Sequence, residues 1–247
     1  MSRGATEGEL IYALGDIHGC YDQLKALLAR IAADYAVRAR GRRPILVFLG
    51  DYVDRGPASD RVIDALIWLK RRPDLEVRLL KGNHEQALLA FLARPEEGAG
   101  WLRFGGAETL ASYGVAPPQD AAGYGRARDE LMERMPASHL WLLQELEVML
   151  TVGDYAFVHA GVRPGVPLAE QAEEDVLWIR QPFLEAPGPH DKVIVHGHTW
   201  RDERPQLHAH RIGIDTGVYA TGVLTAVCLD GEAREILQAG RLATTAS

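Results

Sequence analysis

The sequence predicts an α/β fold of the α+β kind, a mixed sheet or two-sheet β-sandwich flanked by helices. Three observations carry this. Short apolar runs alternate with amphipathic stretches in the first third of the chain. Later apolar runs are separated by Gly-Asp and Asp-Gly turns, a hairpin signal. Each early run ends directly in a Gly-containing polar segment, GDIHG, GDYVDRG or GNHE.

In chain order, LIYALG (10–15) reads as a strand, and Leu24, Leu27, Leu28 and Ile31 follow at helical spacing. PILVFLG (44–50) is a second strand. Ser59 is placed to cap a second helix carrying Val62, Ile63, Leu66, Ile67 and Leu69. LEVRLLK (75–81) makes a third strand and EQALLAFLA a third helix, and repeated βα units imply a parallel, right-handed layout. Between 94 and 136 nine glycines and prolines, from Gly98 to Gly125, interrupt helical pieces, which reads as a helical and irregular insertion beside the sheet. EVMLTV (147–152) and YAFVHAG (155–161) then flank the Gly153-Asp154 turn. KVIVHG (192–197), RIGID (211–215) and GVLTAVCLDG (222–231) follow, with Asp230-Gly231 turning into AREIL. The expectation is one domain over 9–240, with 1–8 and 241–247 as flexible termini.

Composition bounds the function. With 247 residues, 47% hydrophobic and 25% charged, the chain is long enough to bury a full core in one domain. A formal net charge of -7 excludes a protein that holds nucleic-acid polymers through a broad basic surface. It leaves phosphate substrates open, because bound divalent ions would reverse the local field. Cys20 and Cys228 are the only cysteines and lie far apart, which fits a reducing compartment and a cytoplasmic location. No run approaches the roughly 20 apolar residues of a membrane span, so a soluble protein without a membrane partner is expected.

The strand ends carry the chemistry. Ligands of open parallel sheets bind at the carboxyl ends of the strands, so three successive units deliver polar groups to one rim. Asp16 and His18 stand two apart, a spacing that in extended backbone puts both on one face, where they can hold a metal or simply close a turn. Asp51 has the same position on the second strand, and its two oxygens can bridge two cations. Asp54 and Arg55 follow in the turn, where a surface ion pair is the plainer reading. Asn83, on the third strand, offers an amide oxygen or a helix cap. His159 and His198 come from later strands. An isolated histidine is most often a buried, hydrogen-bonded one, but five strand ends with ligand-type residues beside glycine point jointly to a metal centre. Carboxylate, imidazole and amide without thiolate suit Mn, Fe or Zn. Two such ions about 3.5–4 Å apart would generate a hydroxide at neutral pH and clamp both oxygens of an in-line displacement on phosphorus. His208 and His210 alternate on an expected strand with a solvent or sheet-edge role, and His139 and His190 carry no signal.

GDIHG, GDYVDRG, GNHE, HAG and GHT, in this order from Gly15 to about Gly222, resemble the calcineurin-like metallophosphoesterase superfamily. DVLWIR is similar to the arginine-bearing stretch of bacterial and phage serine/threonine protein phosphatases. The resemblance implies a two-sheet β-sandwich flanked by helices and two divalent ions, manganese first, with iron or zinc as alternatives. One ion would be held by Asp16, His18 and Asp51, the other by Asp51, Asn83, His159 and His198. His84 matches the general acid, Asp54 the carboxylate that orients it, and Arg55 and Arg180 the pair that grips phosphoryl oxygens. Water attacks directly, with no phosphoenzyme. The superfamily's GHxH pattern supplies two histidine ligands, but here Trp200 stands two residues after His198, which leaves His198 as the ligand and His196 as a strand residue.

The activity this implies is a metal-dependent phosphomonoester hydrolase acting on a phosphoprotein or a small phosphoester, foremost a serine/threonine protein phosphatase. Asp54 stands where symmetric dinucleoside tetraphosphatases tend to show Ala, and GNHE and GHT differ from their usual GNHD and GHW. Such a tetraphosphatase, or a broad-specificity phosphodiesterase, is the alternative. A non-catalytic scaffold fits poorly, because His84, Asp54, Arg55 and Arg180 are all retained. Trp101, Phe104 and Tyr113 in the insertion are expected mainly to pack, with a groove-lining role open.

Overall fold

The computed structural model describes residues 5–240. Strands β1 (Leu10–Leu14), β2 (Ile45–Phe48) and β3 (Glu76–Leu79) are parallel neighbours, and each is followed by a helix: α1 (Tyr21–Arg38), α2 (Ser59–Lys70) and α3 (Asn83–Ala93). Helices α4 (Ala99–Trp101), α5 (Ala107–Ser112) and α6 (Tyr124–Arg134) lie in the 94–136 segment, and a π turn at Leu102–Gly106 joins the first two. After α7 (Ala137–Gln144), β4 (Met149–Val152) and β5 (Tyr155–Val158) form the hairpin expected at Gly153-Asp154. Then come α8 (Glu173–Trp178), β6 (Val193–His196), β7 (Gln206–Leu207), β8 (Arg211–Gly213), α9 (Val218–Thr221), β9 (Val223–Asp230) and β10 (Ala233–Gly240).

The strands form two five-stranded sheets, ordered β10-β9-β1-β2-β3 and β4-β5-β6-β8-β7, both of mixed direction. This is the α/β two-sheet sandwich that the residue pattern predicts. Alternation along β1 sorts its side chains. Ile11 and Ala13 face the second sheet and pack with Val47, Phe157, Val195 and Ile212. Leu10, Tyr12 and Leu14 face the other way, against Leu24, Leu27 and Ile31 of α1 and Val62 and Leu66 of α2. Both faces of the strand are covered, which is why LIYAL is an unbroken apolar run rather than an alternating one. Truncating Phe157 in the inter-sheet layer to Ala would cost about 3–5 kcal/mol. The outer face of the second sheet, with Ala156, Val158 and Ile194, is closed by Val176, Ile179 and Phe183.

Several local expectations are corrected. Ser59 is the first residue of α2 rather than its cap, and the preceding Ala58 caps nothing with its side chain. The Ser59 hydroxyl turns inward instead, accepting the Asp54 N–H at 3.1 Å. Asn83 is not on β3, which ends at Leu79; it opens α3. His208 and His210 lie outside β7 and β8, on the turn between them, with rings 6.0 Å apart. Within the 1–8 segment expected to be flexible, Ala5 and Thr6 make contacts with the rest of the fold. The Ala5 N–H donates to Asp154, and buried Thr6 accepts from the Gly231 N–H. The expectation for 1–4 and 241–247 falls outside the described residues. Among the described residues no helix is long and apolar enough to cross a membrane.

Candidate active site

The polar segments after β1, β2 and β6 do not continue the strands. His18, Asp51 and His198 have φ of 45°, 50° and 63°, so the chain leaves each strand through a left-handed turn. The extended-strand argument for Asp16 and His18 is therefore corrected: both lie beyond the end of β1, and turns aim them. These turns are tied together, because the Ile17 and His18 N–H groups donate to the Asp51 carbonyl at 3.0 and 2.8 Å. Gly82 allows the third segment to close in, since a Cβ there would collide with the Asp51 carboxylate.

Asp51 sits at the centre. Its Oδ2 lies 3.6 Å from His18 Nε2 and 3.9 Å from His84 Nε2, and its Oδ1 lies 3.4 Å from His159 Nε2. Asn83 Oδ1 lies 2.8 Å from His159 Nε2 and 2.9 Å from His198 Nδ1. Two groups of potential metal ligands result, His18-Asp51-His84 and Asp51-His159-His198, each with its ligand atoms within 4.8 Å of one another. Asp51 belongs to both, the position a bridging carboxylate needs. Asp16 is outside these groups; its Oδ2 accepts the His198 N–H at 3.0 Å.

Four observations fit this donor set to cations. Asp16 Oδ1 is buried without a hydrogen-bond partner, an orphan that a cation would satisfy. His18 Nδ1 meets the Val53 carbonyl at 3.0 Å and His159 Nδ1 the Leu49 carbonyl at 2.8 Å, so both rings are oriented with Nε2 turned toward the site. Burial holds His18 and His198 down to about 3 and lowers His159, which keeps the imidazoles in the neutral form a metal requires. Burial together with Asp215 and Asp51 pushes Asp16 well above the usual carboxylate range, the signature of a carboxylate cluster in want of positive charge.

His84 is set apart by its other nitrogen. Nδ1 meets Asp54 Oδ2 at 2.6 Å, and its backbone N–H donates to Asp51 Oδ1 at 3.0 Å. Burial opposes a charge on this ring, but the Asp51 carboxylate and the hydrogen bond with Asp54 outweigh it and raise His84 to about 9. A protonated, buried imidazole facing the site is suited to acid catalysis. Asp54 is fully buried and held from the insertion. Thr109 Oγ1 donates to its Oδ1 at 2.6 Å, and Trp101 Nε1 donates to its Oδ2 at 2.9 Å. Glu85 organises the loop from below, accepting the N–H groups of Asp51, Tyr52 and Gly82 at 2.8, 2.7 and 2.9 Å.

These groups open into a cavity of about 630 Å³. Asp16, His18, Asp51, Asn83, His84 and His198 line it, together with Arg55 and Arg180. Arg55 Nη2 is 3.4 Å from His84 Nε2, and Arg180 Nε donates to His198 Nε2 at 3.3 Å. Trp101, Phe104, Trp178, Trp200, Tyr219 and Asp215 complete the walls. All ten predicted site residues are thus brought to one place, eight on the cavity wall and the fully buried Asp54 and His159 just behind it. Tyr113 is not; it packs in the core with its hydroxyl 2.8 Å from His139 Nδ1. His196 faces Arg211 from β6 and joins neither ligand group. Sequence reasoning missed Glu85, Thr109, Asp215, Trp178, Trp200 and Tyr219. Glu85 inside GNHE, Trp178 inside DVLWIR and Trp200 just past GHT lay in or beside segments that carried a signal.

Comparison with known proteins decides the family. The model of the calcineurin-like phosphoesterase family matches residues 10–212. The chain belongs to this family. Within it, the chain is 28% identical to the asymmetrical bis(5'-nucleosyl)-tetraphosphatase PrpE of Geobacillus thermodenitrificans, over 87% of this chain and 88% of that protein. It is 30% identical to the symmetrical bis(5'-nucleosyl)-tetraphosphatase of Chromohalobacter salexigens, over 91% of this chain and 72% of the relative. A crystal structure of a candidate diadenosine tetraphosphatase superposes with a TM-score of 0.67 at 20% identity, covering 95% of this chain and 96% of that one. This calcineurin-like phosphoesterase therefore presents its family's two-sheet scaffold with a clustered set of metal-binding side chains at one rim.

Proposed function

We propose that this phosphoesterase hydrolyses bis(5'-nucleosyl) tetraphosphates, binding phosphate at its two arginines and a nucleobase at its aromatic rim. The observation that carries this reading is the cavity mouth. Phe104 and Trp178 stand 63% and 40% exposed beside Arg55 and Arg180 and present aromatic faces to the cavity. An aromatic face next to a phosphate site is what a nucleotide needs, and a cavity of about 630 Å³ suits a ligand of that size. The names of the relatives aligned over most of their length support the same substrate.

Two divalent ions, manganese by preference, would be held by Asp16, His18, Asp51, Asn83, His159 and His198, and would activate the attacking water and neutralise phosphoryl charge. The remaining work falls to the chain. Arg55 and Arg180 grip phosphoryl oxygens, a task for which the planar guanidinium is shaped. His84, oriented by Asp54, hands a proton to the leaving oxygen.

A second reading, phosphoserine and phosphothreonine hydrolysis, is favoured by the His84-Asp54 pair. A serine or threonine alkoxide is a poor leaving group that needs the proton, whereas a nucleotide leaves readily without it. The discriminating experiment is a kinetic panel with manganese, comparing diadenosine tetraphosphate, phosphopeptides, cyclic nucleotides and simple monoesters. The first reading expects kcat/KM for the dinucleotide to exceed that for any phosphopeptide by orders of magnitude. The reverse order would overturn it in favour of a protein phosphatase.

A further inference from the structure

Tyr219 is the second residue of α9 and is reached through Gly217, whose φ of 62° is left-handed. Gly217 also makes room for Trp200, because a Cβ there would run into the indole ring. The Tyr219 hydroxyl accepts from Arg55 Nη1 and, at 3.3 Å, from Trp200 Nε1. The Arg55 guanidinium also lies 4.6 Å from the centre of the phenol ring, a cation-π contact. On the opposite side the Arg55 backbone N–H donates to the Gly105 carbonyl at 3.1 Å. Arg55 is thus held at both ends, by the insertion at its backbone and by Tyr219 at its head.

The head needs holding. Its Nη2 stands 3.4 Å from His84 Nε2. That contact is long for a hydrogen bond, whereas the bond from Arg55 Nη1 to the Tyr219 hydroxyl is short. Tyr219 supplies the counter-attraction, with both lone pairs of its oxygen engaged by donors. We infer that Tyr219, set in place by the Trp200 indole, is the positioning residue that keeps the Arg55 guanidinium at the phosphoryl site and off His84. This rests on the phosphate-gripping role of Arg55 and not on the identity of the leaving group.

The test uses inorganic phosphate as a competitive inhibitor of the manganese-loaded enzyme, with p-nitrophenyl phosphate as the reporter substrate. Tyr219→Phe keeps the ring and removes the oxygen. It should raise the phosphate inhibition constant about tenfold when Arg55 is present and by less than about twofold in an Arg55→Ala background. Trp200→Phe, which keeps an aromatic ring but removes the indole N–H, should give a rise of about threefold that vanishes in the Tyr219→Phe background. KM for p-nitrophenyl phosphate should move with the inhibition constant. Equal effects of Tyr219→Phe with and without Arg55, or no effect with it, would overturn the inference. So would an Arg55→Ala enzyme with unchanged phosphate affinity. Phosphate carries no nucleoside, so failure on dinucleoside tetraphosphates would leave these outcomes standing.

Discussion

Thr109 donates to Asp54 Oδ1 at 2.6 Å across 55 residues of sequence, and this bond joins the 94–136 insertion to the acid machinery. With Trp101 on the other carboxylate oxygen, it fixes the group that orients His84. Thr109→Val or Trp101→Phe should therefore lower kcat on alkyl phosphates about tenfold, by loosening Asp54 rather than removing it. p-Nitrophenyl phosphate, whose leaving group is acidic, should be affected much less. Equal losses on the two substrates would detach the insertion from acid catalysis.

The raised His84 links pH to stability. Its folded-state value, about 9, lies above the ordinary 6.5. The protonated ring paired with Asp54 therefore stabilises the fold fully below about pH 6.5, and that contribution fades as pH rises through about 9. Chelator-treated wild type should lose stability across this window relative to His84→Asn, by at most about 3 kcal/mol. Parallel denaturation midpoints for the two proteins would contradict the pairing. His84→Asn in the loaded enzyme should depress kcat by roughly 10²–10⁴ with metal content nearly intact.

Asp16 carries the orphaned carboxylate oxygen, so Asp16→Ala should lower metal content while leaving the core untouched. Elemental analysis after dialysis should show loss of one ion before the other. Asp51→Asn, which alters the shared ligand, should lose both. Added manganese at about 100 times its dissociation constant should stabilise wild type by about 2.7 kcal/mol, and Asp16→Ala by less. Full metal occupancy in Asp16→Ala would remove Asp16 from the ligand set.

Trp178 is held at the rim by its Nε1, which donates to Gln86 Oε1 at 2.7 Å. If its face receives a base, Trp178→Ala should raise KM for diadenosine tetraphosphate about tenfold. KM for a simple alkyl phosphate should stay within about twofold. Matching changes for both substrates would argue against stacking.

Glu85 accepts N–H groups from two loops, so Glu85→Gln replaces an acceptor with an amide that must turn its NH₂ toward one of those donors. A destabilisation of about 1–3 kcal/mol is expected in chemical denaturation. An unchanged midpoint would show that the loops hold without it.

The sequence by itself determined the scaffold and the cast of the site. Asp16, His18, Asp51, Asn83, His84, His159 and His198 were legible because each lies within a few residues of the end of an apolar run. The parallel βα order then sends those ends to one rim. The alternation of β1 likewise dictated which residues face the sheet layer and which face the helices. Only the tertiary structure decided how these groups are aimed and what backs them. The left-handed turns at His18, Asp51 and His198 replace the extended geometry that spacing suggests. Trp101 and Thr109 reach Asp54, and Tyr219 reaches Arg55, over separations of 47, 55 and 164 residues. Periodicity encodes what a residue does within its own element. Contacts at such separations arise from packing between elements, and one sequence carries no local trace of them.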